Sequence, residues 1–177
     1  MNLAGRAPLL LVLLLPATSM GCQSDEDPQK PARSYEAGVV RFEEVRLQLT
    51  VPAELADLTY TVGEFEGKQP TLNFSTQRLA AAGGPECAAG AVGAVSPYPI
   101  GQVVVSTETP GHVRREAGEN PEEDLGDFVK QVGDLYLYYI APPPEDCTTD
   151  DATAATMQQE LTGELHEVLT GMRTLRD

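Results

Sequence analysis

Six consecutive residues near the end of the chain, Leu135-Tyr136-Leu137-Tyr138-Tyr139-Ile140, constrain its fold more than any other stretch. All six are apolar or aromatic, so a strand built from them has no polar side to give to water. That predicts a central place in a sheet covered on both faces. Tyr138 and Tyr139 are neighbours in an element of period two and point to opposite faces, so at least one of them helps build the core. Ala141-Pro142-Pro143-Pro144 ends the run. Ahead of it, Gly133-Asp134 separates it from a second strand-like stretch, Phe128–Val132. Those two residues either turn the chain back as a hairpin or bulge one long strand.

The rest of the chain supplies partners for this strand. Order is expected to begin near Val39. Val45, Leu47, Leu49 and Val51 alternate with Glu44, Arg46, Gln48 and Thr50, the pattern of a half-buried strand that Pro52 stops. Leu58–Val62 reads as a second strand, Glu66-Gly67 as a bend, and Thr71–Ser75 as a third. Gln77–Ala82 is short and helical in character, and Gly83-Gly84-Pro85-Glu86-Cys87 ends it. Gly101–Ser106 is a fourth strand. Thr107–Glu123 is polar and interrupted by Pro110, Gly111, Gly118 and Pro121, so it reads as an exposed loop. In the last 27 residues, Ala154, Met157, Leu161, Leu165, Val168, Met172 and Leu175 recur at steps of three and four. They mark an amphipathic helix, with Thr148, Thr149 or Asp150 as its N-cap. The expected fold is α+β: an antiparallel sheet of four to five strands with the long C-terminal helix packed on one face.

The first 21 residues belong to a different kind of segment. Arg6 precedes the apolar run Ala7–Leu15, and Pro16-Ala17-Thr18-Ser19-Met20-Gly21 leads into Cys22. A basic start, a short apolar core and a small-residue cleavage region are the layout of a secretory signal. The apolar run is shorter than the ~20 residues that a spanning helix needs. Ending on Gly-Cys resembles a bacterial lipoprotein signal, which implies that Cys22 is lipidated and becomes the new N-terminus. The usual pattern has leucine three residues before the cysteine; here Ser19 stands there, and cleavage after Ser19 or Gly21 by an ordinary signal peptidase is the alternative. Residues 22–37, polar and carrying Pro28 and Pro31, read as a flexible linker, and 38–177 as a single extracytoplasmic domain.

Cysteine arithmetic agrees with export. There are three, Cys22, Cys87 and Cys147. With Cys22 carrying lipid, Cys87 and Cys147 remain as an even pair in an oxidising compartment, where a disulfide is expected. The chain holds 12 Lys and Arg against 27 Asp and Glu, and losing Arg6 with the leader takes the net charge from −15 to −16. A surface this negative repels nucleic acid and anionic lipid headgroups.

No residue set for chemistry stands out. Nucleophilic catalysis needs a Ser or Cys with a base and an orienting group. The two histidines, His112 in the Pro110-Gly111-His112 turn and His166 beside the helix stripe, lie far apart in sequence, and there is no Gly-x-Ser-x-Gly elbow. No metal or cofactor site is expected. Glu116, Glu119, Asn120, Glu122, Glu123, Asp124 and Asp127 are rich in oxygen but lack the spacing of a calcium loop. Asn73-Phe74-Ser75 matches a glycosylation sequon in a poor, strand-like setting. The glycines at 83, 84, 90 and 93 lack the Gly-Lys-Ser/Thr of a phosphate loop. Tyr136, Tyr138 and Tyr139 are the candidate binding face for a sugar or peptide.

Several short motifs resemble a group of small exported bacterial proteins with no assigned function. They are Leu58-Thr59-Tyr60, Phe74-Ser75-Thr76 ahead of Cys87, Gly93-Ala94-Val95 after it, and Val132 to Tyr139 followed by the prolines and Cys147. Similar chains carry a Gly-Asp-Tyr-Tyr-Tyr-Tyr-Tyr strand, diluted here by Leu135 and Leu137. The resemblance covers about Val39 to Met172. It implies paired cysteines and a sheet followed by a helix, and no activity. The functional expectation is a non-enzymatic envelope lipoprotein, attached through Cys22, whose domain binds an envelope protein or glycan or serves a structural role. Two alternatives stand beside it. One is a carboxylate hydrolase of envelope glycan, with two acids about 5–10 Å apart across a cleft. The other is a soluble ligand carrier with an apolar pocket lined by the tyrosines.

Overall fold

The computed structural model describes residues 33–34, 38–91, 97–119, 124–143, 147 and 152–175. The leader, Cys22, most of the linker and the N-cap candidates Thr148, Thr149 and Asp150 lie outside the described residues. The strands are β1 (Arg33–Ser34), β2 (Gly38–Phe42), β3 (Leu47–Val51), β4 (Leu58–Phe65), β5 (Gln69–Thr76), β6 (Gly101–Ser106), β7 (Asp127–Val132), β8 (Leu135–Ile140) and β9 (Arg173–Thr174). The helices are α1 (Gln77–Gly83), α2 (Pro110–Glu119) and α3 (Ala152–Leu169).

The strands form an antiparallel sheet in the order β1-β4-β5-β6-β8-β7 and a smaller one in the order β2-β3-β9. The fold is therefore α+β, with five full strands and the two-residue β1 in the main sheet. β1 lies inside the stretch read as linker and pairs Arg33 with Tyr60. β8 sits between β6 and β7, as its all-apolar sequence requires. Gly133-Asp134 makes a hairpin: Val132 pairs with Leu135, and Gly133 has φ 61°, which a two-residue II′ turn places at its first position. A register shift also occurs, but between Phe128 and Lys130.

The small sheet and α3 cover one face of the main sheet. Val40, Phe42, Leu47, Leu49 and Val51 meet Leu58, Tyr60, Leu72, Phe74, Val103, Leu137 and Tyr139 from the main sheet and Leu161, Leu165 and Leu169 from α3. Phe42 packs edge-on against Tyr60 at 4.8 Å and Phe74 at 5.8 Å. Each such buried side chain stabilises by roughly 1.5–3 kcal/mol before chain entropy is counted. β2 was not among the expected strands, although Val39 and Arg41 point out while Val40 and Phe42 point in, the same alternation as β3.

Three further expectations are corrected. Thr107–Glu123 is not a continuous loop, because α2 occupies Pro110–Glu119. Proline is harmless in a first helical turn, where its missing N–H has no partner to lose. The Val113 N–H donates to the Thr109 carbonyl at 3.1 Å, and the buried Val113 side chain anchors the helix. The C-terminal helix ends at Leu169 rather than running to Leu175. A turn at Thr170-Gly171 follows, and β9 then pairs Arg173 and Thr174 with β3. The buried stripe of α3 is Ala154, Gln158, Leu161, Leu165 and Leu169, with Met157 and Val168 at its margin. Gln158 is buried because its side-chain amide donates to the Pro99 carbonyl at 2.7 Å.

Cys87 and Cys147 form a disulfide, with their Cα atoms 5.1 Å apart. It joins the turn after α1 to the segment that leads into α3. On the Cys87 side, Thr76 caps α1 by accepting from the Leu79 N–H at 3.1 Å, and the Ser75 hydroxyl donates to the Cys87 carbonyl.

Gly101 lies beneath the ring of Tyr139 with φ +135°, and a Cβ there would collide with that ring. Gly101→Ala is expected to lower stability by roughly 2–4 kcal/mol, from overpacking and backbone strain together. A fall in the urea midpoint at unchanged slope is the measurement.

Candidate functional site

β8 carries its two faces into two cores. Leu135, Leu137 and Tyr139 face the main core, while Tyr136, Tyr138 and Ile140 face a smaller one built with Val104, Val113, Leu125 and Phe65. Tyr138 is 1% exposed and Tyr139 4%, so both tyrosines build cores, on opposite sides of the sheet. Their hydroxyls serve the protein. The Tyr139 hydroxyl donates to the Ile100 carbonyl at 2.9 Å, and that of Tyr138 donates to the Glu108 carbonyl at 2.6 Å.

Burial pushes the Tyr139 phenol well above its ordinary value. The Tyr138 phenol is pushed up to about 12, first by desolvation, then by the negative charge of Glu108 and by Tyr136.

Where β8 ends and β7 begins, the smaller core stops short and leaves an open cavity of about 1070 Å³. α2 walls it with Pro110 and Val113, the sheet with Phe128, Tyr138, Tyr139 and Ile140, and α3 with His166. The segment before β7 forms its rim. Leu125 is buried in the smaller core, while Asp124 and Asp127 on either side of it are exposed and line the cavity. Gly126 lets this segment lie close: it has φ +87°, and a Cβ there would collide with the Tyr139 carbonyl. Its N–H donates to a carboxylate oxygen of Asp124 at 3.0 Å.

Phe128 is 45% exposed at this cavity. Its ring lies 5.8 Å from that of Tyr138 and 6.4 Å from that of Tyr136, tilted against both. His166, which α3 brings to the cavity, lies 5.0 Å from the Tyr139 ring. The expected tyrosine face is therefore not a surface: Tyr138 and Tyr139 are buried, Tyr136 is half-buried, and Phe128 is the exposed ring beside them. Nothing in the sequence distinguished Phe128 from a core residue. Its exposure follows from its place on the edge strand, beyond the reach of the short α2.

The other candidates are placed apart from this cavity or outside the described residues. His112 lies in the first turn of α2 and is half-buried. Asn73 of the sequon is buried in β5, where its carbonyl oxygen accepts from the Gln102 side-chain amide at 2.7 Å. Of the acidic run, Asn120, Glu122 and Glu123 lie outside the described residues. Among the described residues, no group of three or more His, Cys, Asp or Glu side chains is placed to hold a metal ion. A smaller cavity of about 490 Å³ between α1 and α3 holds Arg78, Glu160 and Glu164. There Arg78 lies 3.4 Å from Asp57 and 3.8 Å from Glu164, and donates to the Glu54 carbonyl at 2.6 Å. Among the described residues, no helix is long and apolar enough to cross a membrane. Compared with known protein families, curated proteins and solved structures, the chain gives no match.

The two raised phenols set an alkaline limit. A phenol with its folded pKa above its unfolded value contributes stability that is complete below pH ~10 and lost as pH climbs through the folded value. Urea unfolding should therefore show stability falling from pH ~10 toward 12. The fall should be shallower in Tyr138→Phe.

Proposed function

We propose that the chain is an exported, lipid-anchored binding domain of the cell envelope, without catalysis of its own, and that the cavity at the end of the β7–β8 hairpin is its binding face. The observation that carries the binding half is Phe128, a large ring held half-exposed at the mouth of a cavity and backed by Tyr136 and Tyr138. Leaving such a ring in water forgoes roughly 1–2 kcal/mol of burial, which a ligand recovers. The Cys87–Cys147 disulfide supports the address, since such bonds persist in oxidising compartments. It also accounts for two of the three cysteines and leaves Cys22, at the end of the apolar leader, to carry the lipid. Attachment by that residue through residues 23–32 would hold the domain off the membrane surface.

Intact mass of the mature protein tests the anchor. The expected mass starts at Cys22 with added acyl groups, and Cys22→Ser is expected to move the protein from the membrane to the soluble fraction. A mature chain that starts at Met20 or Cys22 without added lipid would sink the anchor. For the binding face, a photo-crosslinking phenylalanine analogue at position 128 is compared with the same analogue at Val39, an exposed residue on the small sheet. Adducts in the envelope are expected from position 128 and not from 39, and equal labelling overturns the assignment of the face.

A further inference from the structure

We infer that the outer face of the small sheet turns toward an anionic membrane surface and so orients the tethered domain. The inference rests on Cys22 anchoring the chain and adds which side of the domain meets the headgroups. Val39 and Arg41 of β2, Gln48 and Thr50 of β3, and Arg173 of β9 make up that face. Val39 pairs with Thr50, and Gln48 with both Arg41 and Arg173, which puts all of them opposite the buried side of the sheet. None of them is acidic, in a chain that carries 27 acids. Glu43 and Glu44 lie in the turn that joins β2 to β3, past the end of the face. Arg41 and Arg173 flank Gln48 in one row, about 10 Å apart at two strand spacings. Both are exposed, and neither makes an ion pair among the described residues. The Arg173 guanidinium donates to the Thr50 hydroxyl at 3.2 Å. Arg78, by contrast, faces Asp57 and Glu164.

Charge sets which side a tethered domain presents. The mature chain, at −16, is repelled as a whole by an anionic surface, so its acidic sides turn away. The two arginines are drawn toward the same surface, each favouring that orientation about fivefold when close to the headgroups. Val39, 56% exposed beside them, suits the boundary where headgroups meet acyl chains. The tether keeps the domain within reach of this field, because the ten residues 23–32 span at most about 35 Å. β2, the next strand after β1, is an edge of the small sheet, so the chain enters the domain beside the basic face. That tether ties the membrane, and no soluble acidic partner, to this side of the molecule. With the small sheet toward the lipid, α2 and Leu125 lie on the far face of the main sheet. The cavity they help form is then left to the envelope.

The test uses the mature lipid-bearing protein in vesicles of phosphatidylcholine, alone or mixed with phosphatidylglycerol, each with a quenching nitroxide on some headgroups. The chain has no tryptophan, so Val39→Trp and Phe128→Trp each supply a single fluorophore. In the mixed vesicles, quenching at position 39 is expected to exceed that at 128 about threefold. The excess should vanish in phosphatidylcholine alone, and at about 1 M salt, where the screening length falls to about 3 Å. Arg41→Gln with Arg173→Gln, added to Val39→Trp, should abolish it without moving the urea midpoint, and lysine at both positions should restore it. Equal quenching at 39 and 128 in protein that floats with the vesicles overturns the orientation and leaves the anchor in place. An excess that survives the glutamine pair also overturns it, since the contact is then apolar. Protein that floats with neither vesicle overturns the anchor, and the orientation with it.

Discussion

The need to cover β8 on both faces governs the rest of this molecule. No side chain of Leu135–Ile140 is suited to water, so each face of the main sheet must find a partner layer at this strand. On one side the demand is met fully: Tyr139 lies on Gly101, bonds the Ile100 carbonyl, and is enclosed by the small sheet and α3. On the other side it is met by a short helix and one leucine, Val113 of α2 and Leu125 before β7. That second cover is large enough to bury Tyr138 and too small to bury Phe128. The cavity is the difference between the two.

The disulfide complements this arrangement by acting at a distance from it. A cross-link between positions 60 apart removes much of the freedom of the unfolded chain. It also spans the junction where the strand-rich part of the chain hands over to α3. Pro142 and Pro143 follow β8, and Cys147 is tied to the turn after α1. α3 reaches the main core from there, and β9 closes the small sheet behind it. The polar Gln158 in the buried stripe belongs to the same junction, since its partner is the carbonyl of Pro99, two residues ahead of β6.

The functional reading follows from the incomplete cover. A site formed where a layer runs out tends to be lined by core-type rings on its walls and by loop residues on its rim. Here Phe128 is the exposed ring on the wall, and the rim is Asp124, Gly126 and Asp127. The Tyr138 and Tyr139 rings are buried and their hydroxyls are turned into the protein, so Phe128 is the ring left to a ligand.

By itself the sequence determined the elements whose signals are local. The alternation in β3, the apolar runs of β6 and β8 and the stripe of α3 are written in the order of side chains, because period acts over a few residues, whereas Gly133-Asp134 allowed a hairpin or a bulge until strand pairing decided it. The cysteine count foretold the disulfide for a similar reason, since it needs only export and an even pair. Tertiary structure decided the rest. α2 was illegible because its glycines and proline argue locally against a helix, and burial of Val113 outweighs them. The end of α3 was illegible because Met172 continues the apolar period, while pairing of Arg173 and Thr174 with β3 redirects the backbone. The site was least legible of all: Phe128, Tyr138 and the carboxylates at 124 and 127 differ in nothing but how far the neighbouring layer reaches, and that distance is set by packing between segments remote in sequence.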